Sequence, residues 1–300
     1  MLWTVPGSIR GAHLVITKRL LLAAGAAAPM LALAPAAFAN GDFTVRQNRL
    51  FLNARVNGRP VQALLDSAAE TSFIDTKFAR SIGIAGGETV GARGSGGDTD
   101  VQLAKGVKVD ALGLHLGPLT VAVLDLSDVG RRLLNGPLAF VLGRELFDAA
   151  RLYIDIERAE IRTMPASAVP SGAKLALSEE RGLETVPAAI EGHAPVGAAF
   201  DLGNGGDVLI GADYAKTLGL LSDGRPIVEK KGGGIGGERL RQTLTLKSLE
   251  LAGRRFTNVS AAIDATGSAT KLNIGVPILR KFEIVTDFAG HAVWLNSKYS

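Results

Sequence analysis

Two aspartates at matching positions of the sequence are the side chains best suited to chemistry. Asp66 ends the apolar run VQALLD and precedes Ser67 and Ala68, and Asp201 ends VGAAFD two residues before Gly203. A single aspartate in such a turn usually accepts hydrogen bonds from nearby backbone N–H groups. Two aspartates at equivalent points instead favour a functional pair, because adjacent carboxyl groups share one proton and can serve as base and acid.

The segments that carry these aspartates belong to an internal repeat. Residues 56–84 and 190–220 each contain a short strand, a Gly turn, an apolar strand ending in Asp, a small-residue turn and a short helical stretch. A glycine-rich stretch follows in each half, at 91–97 and 232–237, and then alternating strands. The halves end in VLGRELF and NIGVPIL. This many landmarks in one order indicate two related structural units.

The residue pattern predicts an all-β chain with short helices. Runs rich in Val, Ile, Leu and Thr show period-two alternation and are separated by Gly-containing turns, which is typical of strands and hairpins. Helical pattern is confined to brief pieces at 75–83, 143–150 and 212–219.

Composition changes along the chain predict the domain boundaries. Residues 164–178 are rich in Pro, Ala, Ser and Gly and are expected to link the two units. We therefore predict an N-terminal lobe at 43–163 and a C-terminal lobe at 179–300, each large enough to hold its own core.

The first 39 residues have the composition of an export signal. They contain Arg10, Lys18 and Arg19 without an acidic residue, followed by an apolar stretch and Ala-Phe-Ala at 37–39. This pattern predicts a signal peptide at 1–39 and a periplasmic or secreted protein. An uncleaved N-terminal anchor is the alternative, because about twenty apolar residues can span a bilayer.

The basic character of the chain belongs to this leader. The full sequence has 33 Lys and Arg against 29 Asp and Glu, a net charge of +4. Without the three basic residues of the leader the charge falls to +1. A nucleic-acid partner is therefore not expected, and contact with a membrane is expected only through the export signal.

Other mechanisms lack their residues in this sequence. Cysteine is absent and no GxSxG occurs, which excludes thiol nucleophiles, disulfides and the nucleophile elbow. His115, His193 and His291 are far apart without an HExxH pattern, so no metal is expected. The literal GxGxxG at 232–237 precedes a strand-like run instead of a helix, so no dinucleotide cofactor is expected. The stretch 94–100 lacks the repeated carboxylates of a calcium loop.

Nearly all of residues 43–300 resembles the aspartic peptidases of the retropepsin and pepsin type. The motifs that carry the resemblance are ALLDSAAETSFID with VLGRELF and AAFDLGNGGDVLI with NIGVPIL. The resemblance implies two retropepsin-like β-barrel lobes in one chain, as in bacterial-type retropepsin-like aspartyl proteases. It also implies an endopeptidase that needs no cofactor, acts on a peptide or protein substrate, and works as a monomer.

The resemblance further implies roles for individual residues. Asp66 and Asp201 would be the catalytic dyad, and 91–97 and 232–237 would be two flaps over the substrate. The residues expected to contact substrate are Ser67, Ala68 and Gly203 beside the dyad, and Gly94, Gly96, Gly234, Ile235 and Gly236 in the flaps.

Two residues depart from the family pattern. Ala68 replaces the motif glycine of the first lobe, and Leu202 replaces the Thr or Ser of the second. In the family that hydroxyl helps to tie the two loops together, so at most one of two ties is expected here. Two interpretations therefore stay open: an active peptidase, and a catalytically inactive envelope protein that uses the same cleft to bind a peptide or protein partner.

Overall fold

The computed structural model describes residues 40–269 and 271–298 of the 300-residue chain. The predicted signal peptide, 1–39, lies outside the described residues. The prediction of an all-β chain with two lobes and short helices is confirmed, since strands dominate and the helices span at most two turns.

The described residues of the N-terminal half form ten strands and three helices. The strands are β1 (Asn40–Arg46), β2 (Arg49–Val56), β3 (Arg59–Leu65), β4 (Phe73–Asp75), β5 (Thr89–Gly94), β6 (Gly97–Ala111), β7 (Leu114–Leu124), β8 (Phe140–Leu142), β9 (Leu152–Asp155) and β10 (Glu160–Thr163). The helices are α1 (Thr76–Ser81), α2 (Ser127–Leu134) and α3 (Arg144–Ala149).

The C-terminal half contains eleven strands and two helices. The strands are β11 (Ala173–Ala176), β12 (Ser178–Glu180), β13 (Leu183–Ile190), β14 (Val196–Phe200), β15 (Val208–Gly211), β16 (Val228–Gly232), β17 (Arg239–Leu251), β18 (Arg254–Asp264), β19 (Leu272–Ile274), β20 (Phe282–Asp287) and β21 (Ala292–Ser297). The helices are α4 (Ala212–Thr217) and α5 (Val276–Leu279). Strand β11 lies within the predicted linker.

The two lobes have equivalent strand pairings. In the first lobe β3 pairs in parallel with β8 and β4 with β7, and in the second β14 pairs in parallel with β19 and β15 with β18. The hairpin turns also correspond: Asn57-Gly58 and Glu191-Gly192 both have positive φ at each residue. In the first lobe Val56 pairs with Arg59, so Asn57-Gly58 is a two-residue turn that matches the twist of the flanking strands and sets their register.

A third group of strands joins the lobes. Strand β9 of the first lobe pairs antiparallel with β20 of the second, within the order β11-β21-β20-β9-β10-β1. Arg151 and Asp287 form an ion pair across this junction, with Nη2 and Oδ2 2.6 Å apart. Main-chain hydrogen bonds therefore connect the lobes at the base of the molecule.

The core is formed by the inward faces of these sheets. Aromatic side chains that are almost fully buried include Phe140, Phe147, Phe200 and Phe282. Phe147 of α3 stacks on Phe288, which follows β20, with ring centroids 5.1 Å apart. In the described part of the chain, none of the helices has the length and apolar character needed to cross a membrane.

Candidate active site

The strand pairings hold Asp66 and Asp201 in equivalent positions. Asp66 follows β3, and its N–H donates to the carbonyl oxygen of Leu142 in β8 at 3.0 Å. Asp201 follows β14, and its N–H donates to the carbonyl oxygen of Ile274 in β19 at 3.1 Å. Each carboxyl group is thus delivered by an apolar strand whose neighbour fixes the backbone at the aspartate itself.

One serine hydroxyl ties the two aspartate loops together. The Ser67 hydroxyl donates to the carbonyl oxygen of Phe200 at 2.7 Å, and its oxygen accepts from the N–H of Leu202 at 2.9 Å. The Leu202 side chain is fully buried and packs in the main hydrophobic core. The reciprocal tie from the second lobe is replaced by apolar packing.

The two loops approach each other closely beside the carboxyl groups. A Cβ atom added at Gly203 would lie 2.3 Å from Cγ of Asp66, so no side chain fits at this position. Ala68 stands at the equivalent point of the first lobe and does not have a positive φ, so its methyl group causes no backbone strain there. The glycine is therefore needed in the second loop only.

The hydrogen bonds to the two carboxyl groups differ. Asp66 Oδ1 accepts from the N–H of Ala68 at 3.0 Å. Asp201 Oδ1 accepts from the N–H groups of Gly203 at 2.8 Å and Asn204 at 2.9 Å, and its Oδ2 accepts from Nδ2 of Asn273 at 2.6 Å. Asp201 thus has more donors directed at it than Asp66.

Burial and mutual repulsion shift the titration of this pair. Burial, followed by the nearby charge of Asp201, raises the pKa of Asp66 to about 8. Burial also raises the pKa of Asp201, while the hydrogen bond from Asn273 and the backbone N–H groups of its own loop oppose the rise. Two such carboxyl groups hold one proton between them over a wide pH range.

Arg49 is the cation that faces both aspartates. Its Nε donates to the carbonyl oxygen of Gly203 at 3.1 Å, and its Nη1 donates to the carbonyl oxygens of Gln47 and Leu133 at 3.0 and 3.4 Å. Burial lowers the pKa of Arg49, and the charges of Asp201 and Asp66 oppose this. Arg49 therefore links the lobes and places a positive charge near the dyad.

The two glycine-rich hairpins cover the cleft and contact each other. The first flap, 91–97, joins β5 to β6, and the second flap, 232–237, lies between β16 and β17. The N–H of Gly96 donates to the carbonyl oxygen of Ile235 at 2.8 Å. A Cβ at Gly94 would lie 2.5 Å from that same oxygen, so the tips need their glycines for close contact.

Arginine side chains hold the flaps in place. Arg132 of α2 donates to the carbonyl oxygens of Gly233 and Gly234 at 3.2 and 3.1 Å. Arg239 donates to the carbonyl oxygen of Gly96 at 2.6 Å, and Arg241 donates to that of Ser95. The second flap is thus anchored to the first lobe, and the first flap to the second lobe.

Between the flaps and the dyad lies a cleft of about 1190 Å³. Its walls are formed by equivalent rows of residues across the two sheets. In the first lobe the row, in order of strand pairing, is Leu64, Val141, Phe73, Ala122 and Leu103. In the second lobe it is Asn273, Leu209, Ala262 and Thr243. Ala199, the counterpart of Leu64, is buried and does not line the cleft. The side chains of the first row are all apolar, whereas those of the second row are smaller and include the polar Asn273 and Thr243.

Helix α2 extends the apolar wall of the first lobe. Its Val129, Leu133 and Leu134 line the cleft together with Leu126, which precedes the helix, and Leu138, which follows it. The loop at 264–269 occupies the corresponding side of the second lobe and contributes Gly267 and Ser268 to the lining. The two ends of the cleft therefore offer different surfaces to a ligand.

Part of the chain is similar to a known protein family. Residues 52–146, which run from β2 into α3 and include Asp66 and the first flap, match the family model described as aspartyl protease. The matched segment lies within the first lobe. A comparison with curated proteins gives no match. The resemblance to aspartic peptidases of the retropepsin type is thus confirmed over this segment, and it supports a peptidase of aspartic type.

The candidate site contains residues that the sequence predicted and others that it did not. Asp66, Ala68, Asp201 and Gly203 line the cleft floor. Ser67, which was also expected to contact substrate, is buried behind them, and its hydroxyl is used in the tie between the loops. The flap residues Gly94, Gly96, Gly234, Ile235 and Gly236 meet at the cleft roof. Among the described residues, no group of three or more His, Cys, Asp or Glu side chains is placed to hold a metal ion.

Three features of the candidate site were not predicted from sequence. Arg49 and Asn273 are distant from Asp66 and Asp201 in sequence, and α2 was not predicted. The sequence does distinguish Asn273 from its counterpart. Asn273 lies two residues before Gly275, and the equivalent residue two before Gly143 is the apolar Val141. A polar residue at the position of an apolar counterpart is the kind of difference that marks a function.

Proposed function

We propose that this protein is an aspartic endopeptidase in which the Asp66/Asp201 dyad activates a water molecule in the interlobe cleft. The observation that carries the proposal is the convergence of two hydrogen-bonded loops, one from each lobe, that place both carboxyl groups on the floor of one cleft. Export to the periplasm or beyond, action as a monomer and a peptide or protein substrate are part of this proposal.

The chemistry follows from the shared proton. One carboxylate accepts a proton from water as the water oxygen bonds to the peptide carbonyl carbon, and the protonated partner donates to the carbonyl oxygen. The tetrahedral intermediate then breaks its C–N bond. The carboxyl group that took the water proton gives it to the leaving nitrogen, and the other carboxylate takes back a proton from a hydroxyl as the carbonyl reforms. An extended peptide would lie under the flaps and pair its backbone with them as an added strand.

The alternative is a catalytically inactive relative that binds a peptide or protein partner in the same cleft. Loss of the second hydroxyl at Leu202 favours it. Against it, the Leu202 side chain packs in the core and leaves the cleft open, and the Ser67 tie joins both loops. We therefore favour the peptidase.

Cleavage of a peptide library across a range of pH tests the proposal. We expect the purified protein to cleave a subset of peptides, and Asp66→Asn and Asp201→Asn each to lower kcat by about 10²-fold or more. Asp110→Asn, which changes an aspartate paired with His115 on the first lobe, is the matched control and should cleave normally. Binding of peptides without cleavage by the wild type would favour the inactive relative.

A further inference from the structure

The two carboxyl groups of the dyad have unequal surroundings, and Asn273 accounts for much of the difference. Asn273 lies on β19 and is 7 % exposed. Its Nδ2 donates to Oδ2 of Asp201 at 2.6 Å. The residue at the equivalent position of β8 is Val141, whose side chain has no donor. The strand pairing therefore supplies a side-chain hydrogen bond to Asp201 and an apolar neighbour to Asp66.

A chain of hydrogen bonds fixes which way the Asn273 amide points. Asn204 Oδ1 accepts from the N–H of Gly206 at 2.9 Å, and its Nδ2 donates to the carbonyl oxygen of Asp207 at 3.1 Å. The same Nδ2 donates to Oδ1 of Asn273 at 2.8 Å. Because backbone groups determine the orientation of Asn204, the Oδ1 of Asn273 must face Asn204 and its NH₂ must face Asp201.

An amide NH₂ can only donate, so this contact distinguishes the two protonation states of Asp201. The carboxylate accepts three N–H groups in all, from Gly203, Asn204 and Asn273. Hydrogen bonds to a carboxylate stabilise its charged form. A proton on Oδ2 would compete with the Asn273 amide for the same oxygen.

We propose that Asn273 is a positioning residue that keeps Asp201 ionised, so that Asp201 is the base and Asp66 carries the shared proton as the acid. This inference rests on the proposed function for its catalytic meaning, although the ionisation order can be measured without catalysis. The water then gives its proton to Asp201, and Asp66 gives its proton to the carbonyl oxygen of the substrate.

The charged groups around the pair agree with this order. Arg49 faces both carboxyl groups, and its strongest attraction is to Asp201, followed by Asp66. The pKa of Asp66 is raised by burial and by the charge of Asp201, while Arg49 and its own loop amides lower it less. Asp66 is thus the carboxyl group that binds a proton more readily.

Carboxyl titrations by NMR test the inference directly, using protein with ¹³C-labelled aspartate. In an Asp66→Asn background Asp201 titrates alone, and in an Asp201→Asn background Asp66 titrates alone. We expect the pKa of Asp201 in the first background to be lower than the pKa of Asp66 in the second. Asn273→Leu, which keeps the shape of the side chain without its donor, should raise the pKa of Asp201 by about 1 to 2 units. The matched control Val141→Leu removes no donor, so the pKa of Asp201 should be unchanged.

The pH profile of cleavage gives a second readout. In the otherwise unaltered protein, Asn273→Leu should move the acid limb of kcat/KM to higher pH by a similar amount, whereas Val141→Leu should not. An unchanged Asp201 titration in Asn273→Leu, or an Asp66 that titrates below Asp201, would overturn the inference. If the titrations behave as expected but no peptide is cleaved, the inference stands and the proposed peptidase function fails.

Discussion

The Ser67 hydroxyl donates a 2.7 Å hydrogen bond to the carbonyl oxygen of Phe200, from the loop of one lobe to the strand that delivers the aspartate of the other. The same hydroxyl oxygen accepts from the N–H of Leu202. Since all of these groups are buried, one side chain satisfies two backbone groups that water does not reach. The relative position of the two carboxyl groups depends on this contact.

Ser67→Ala should destabilise the protein. It leaves the Phe200 carbonyl and the Leu202 N–H without their partner, and each buried unsatisfied group costs about 1–3 kcal/mol. We expect the free energy of unfolding, measured by urea denaturation, to fall by about 2 kcal/mol or more. Ser81→Ala is the control, because Ser81 donates to the Phe78 carbonyl in an exposed helix end. Equal stability of the two variants would contradict the importance of the Ser67 tie.

The contribution of Asp66 to the free energy of unfolding should fall as pH rises from about 4 to about 8. The pKa of Asp66 is about 8 in the folded chain, against an ordinary value of 3.8. At a pH between these two pKa values, the unfolded chain has lost the proton that folded Asp66 still holds. The stabilisation from this proton is therefore complete below the lower pKa and is lost as the pH rises through the upper pKa. The expected loss is up to about 1.4 kcal/mol per pH unit.

Denaturation of wild type and Asp66→Asn across this pH range isolates the contribution of Asp66. The variant lacks the titrating group, so the stability of the wild type relative to the variant should decrease with pH. A difference that does not vary between pH 4 and pH 8 would mean that the pKa of Asp66 is not raised.

Arg132→Ala should loosen the second flap. Arg132 donates to the carbonyl oxygens of Gly233 and Gly234, and hydrogen bonds from a charged group contribute about 1.5–3 kcal/mol each. We expect hydrogen exchange at the amide of Gly96, which donates to Ile235, to accelerate about tenfold or more.

Arg131→Ala provides the matched control for the flap. Arg131 and Arg132 both pair with Asp128, but the contacts to the flap carbonyls come from Arg132. Similar acceleration in both variants would indicate that the ion pair with Asp128 stabilises the flap through α2, and that the direct hydrogen bonds matter little.

The unequal walls of the cleft predict unequal preferences on the two sides of the cleaved bond. We expect a bulky apolar residue on one side, against Leu64, Phe73 and Leu103, and a small or polar residue on the other, near Thr243. Leu103→Thr, which copies the second lobe, should reduce cleavage of peptides with the bulky residue about tenfold. Library cleavage measures this, with Leu221→Thr at an exposed site as control. An unaltered preference would show that Leu103 does not contact the substrate.

Much of the fold was predictable from sequence because its signals are local. Strand alternation and Gly turns lie within a few residues of each other, and the repeat places Asp66 and Asp201 in equivalent loops. Helix α2 was missed because its interior contains Gly130, a weak helix former, although Leu126, Val129 and Leu133 have helical spacing.

The remaining site residues depend on contacts that local pattern does not encode. Asn273 reaches Asp201 across 72 positions of sequence, and this contact exists only when β19 pairs with β14. Arg132 reaches Gly233 across 101 positions and depends on how the lobes pack. A sequence reveals that such residues are polar, but their partners follow from strand register and lobe packing.

Having both lobes in one chain has a consequence for how this site can change. In an assembly of two identical subunits, any replacement at the position of Val141 or Asn273 would appear twice, and both carboxyl groups would gain or lose a donor together. Here the two positions are encoded separately, so each can mutate without the other. The covalent connection between the lobes therefore permits the two aspartates to have different surroundings.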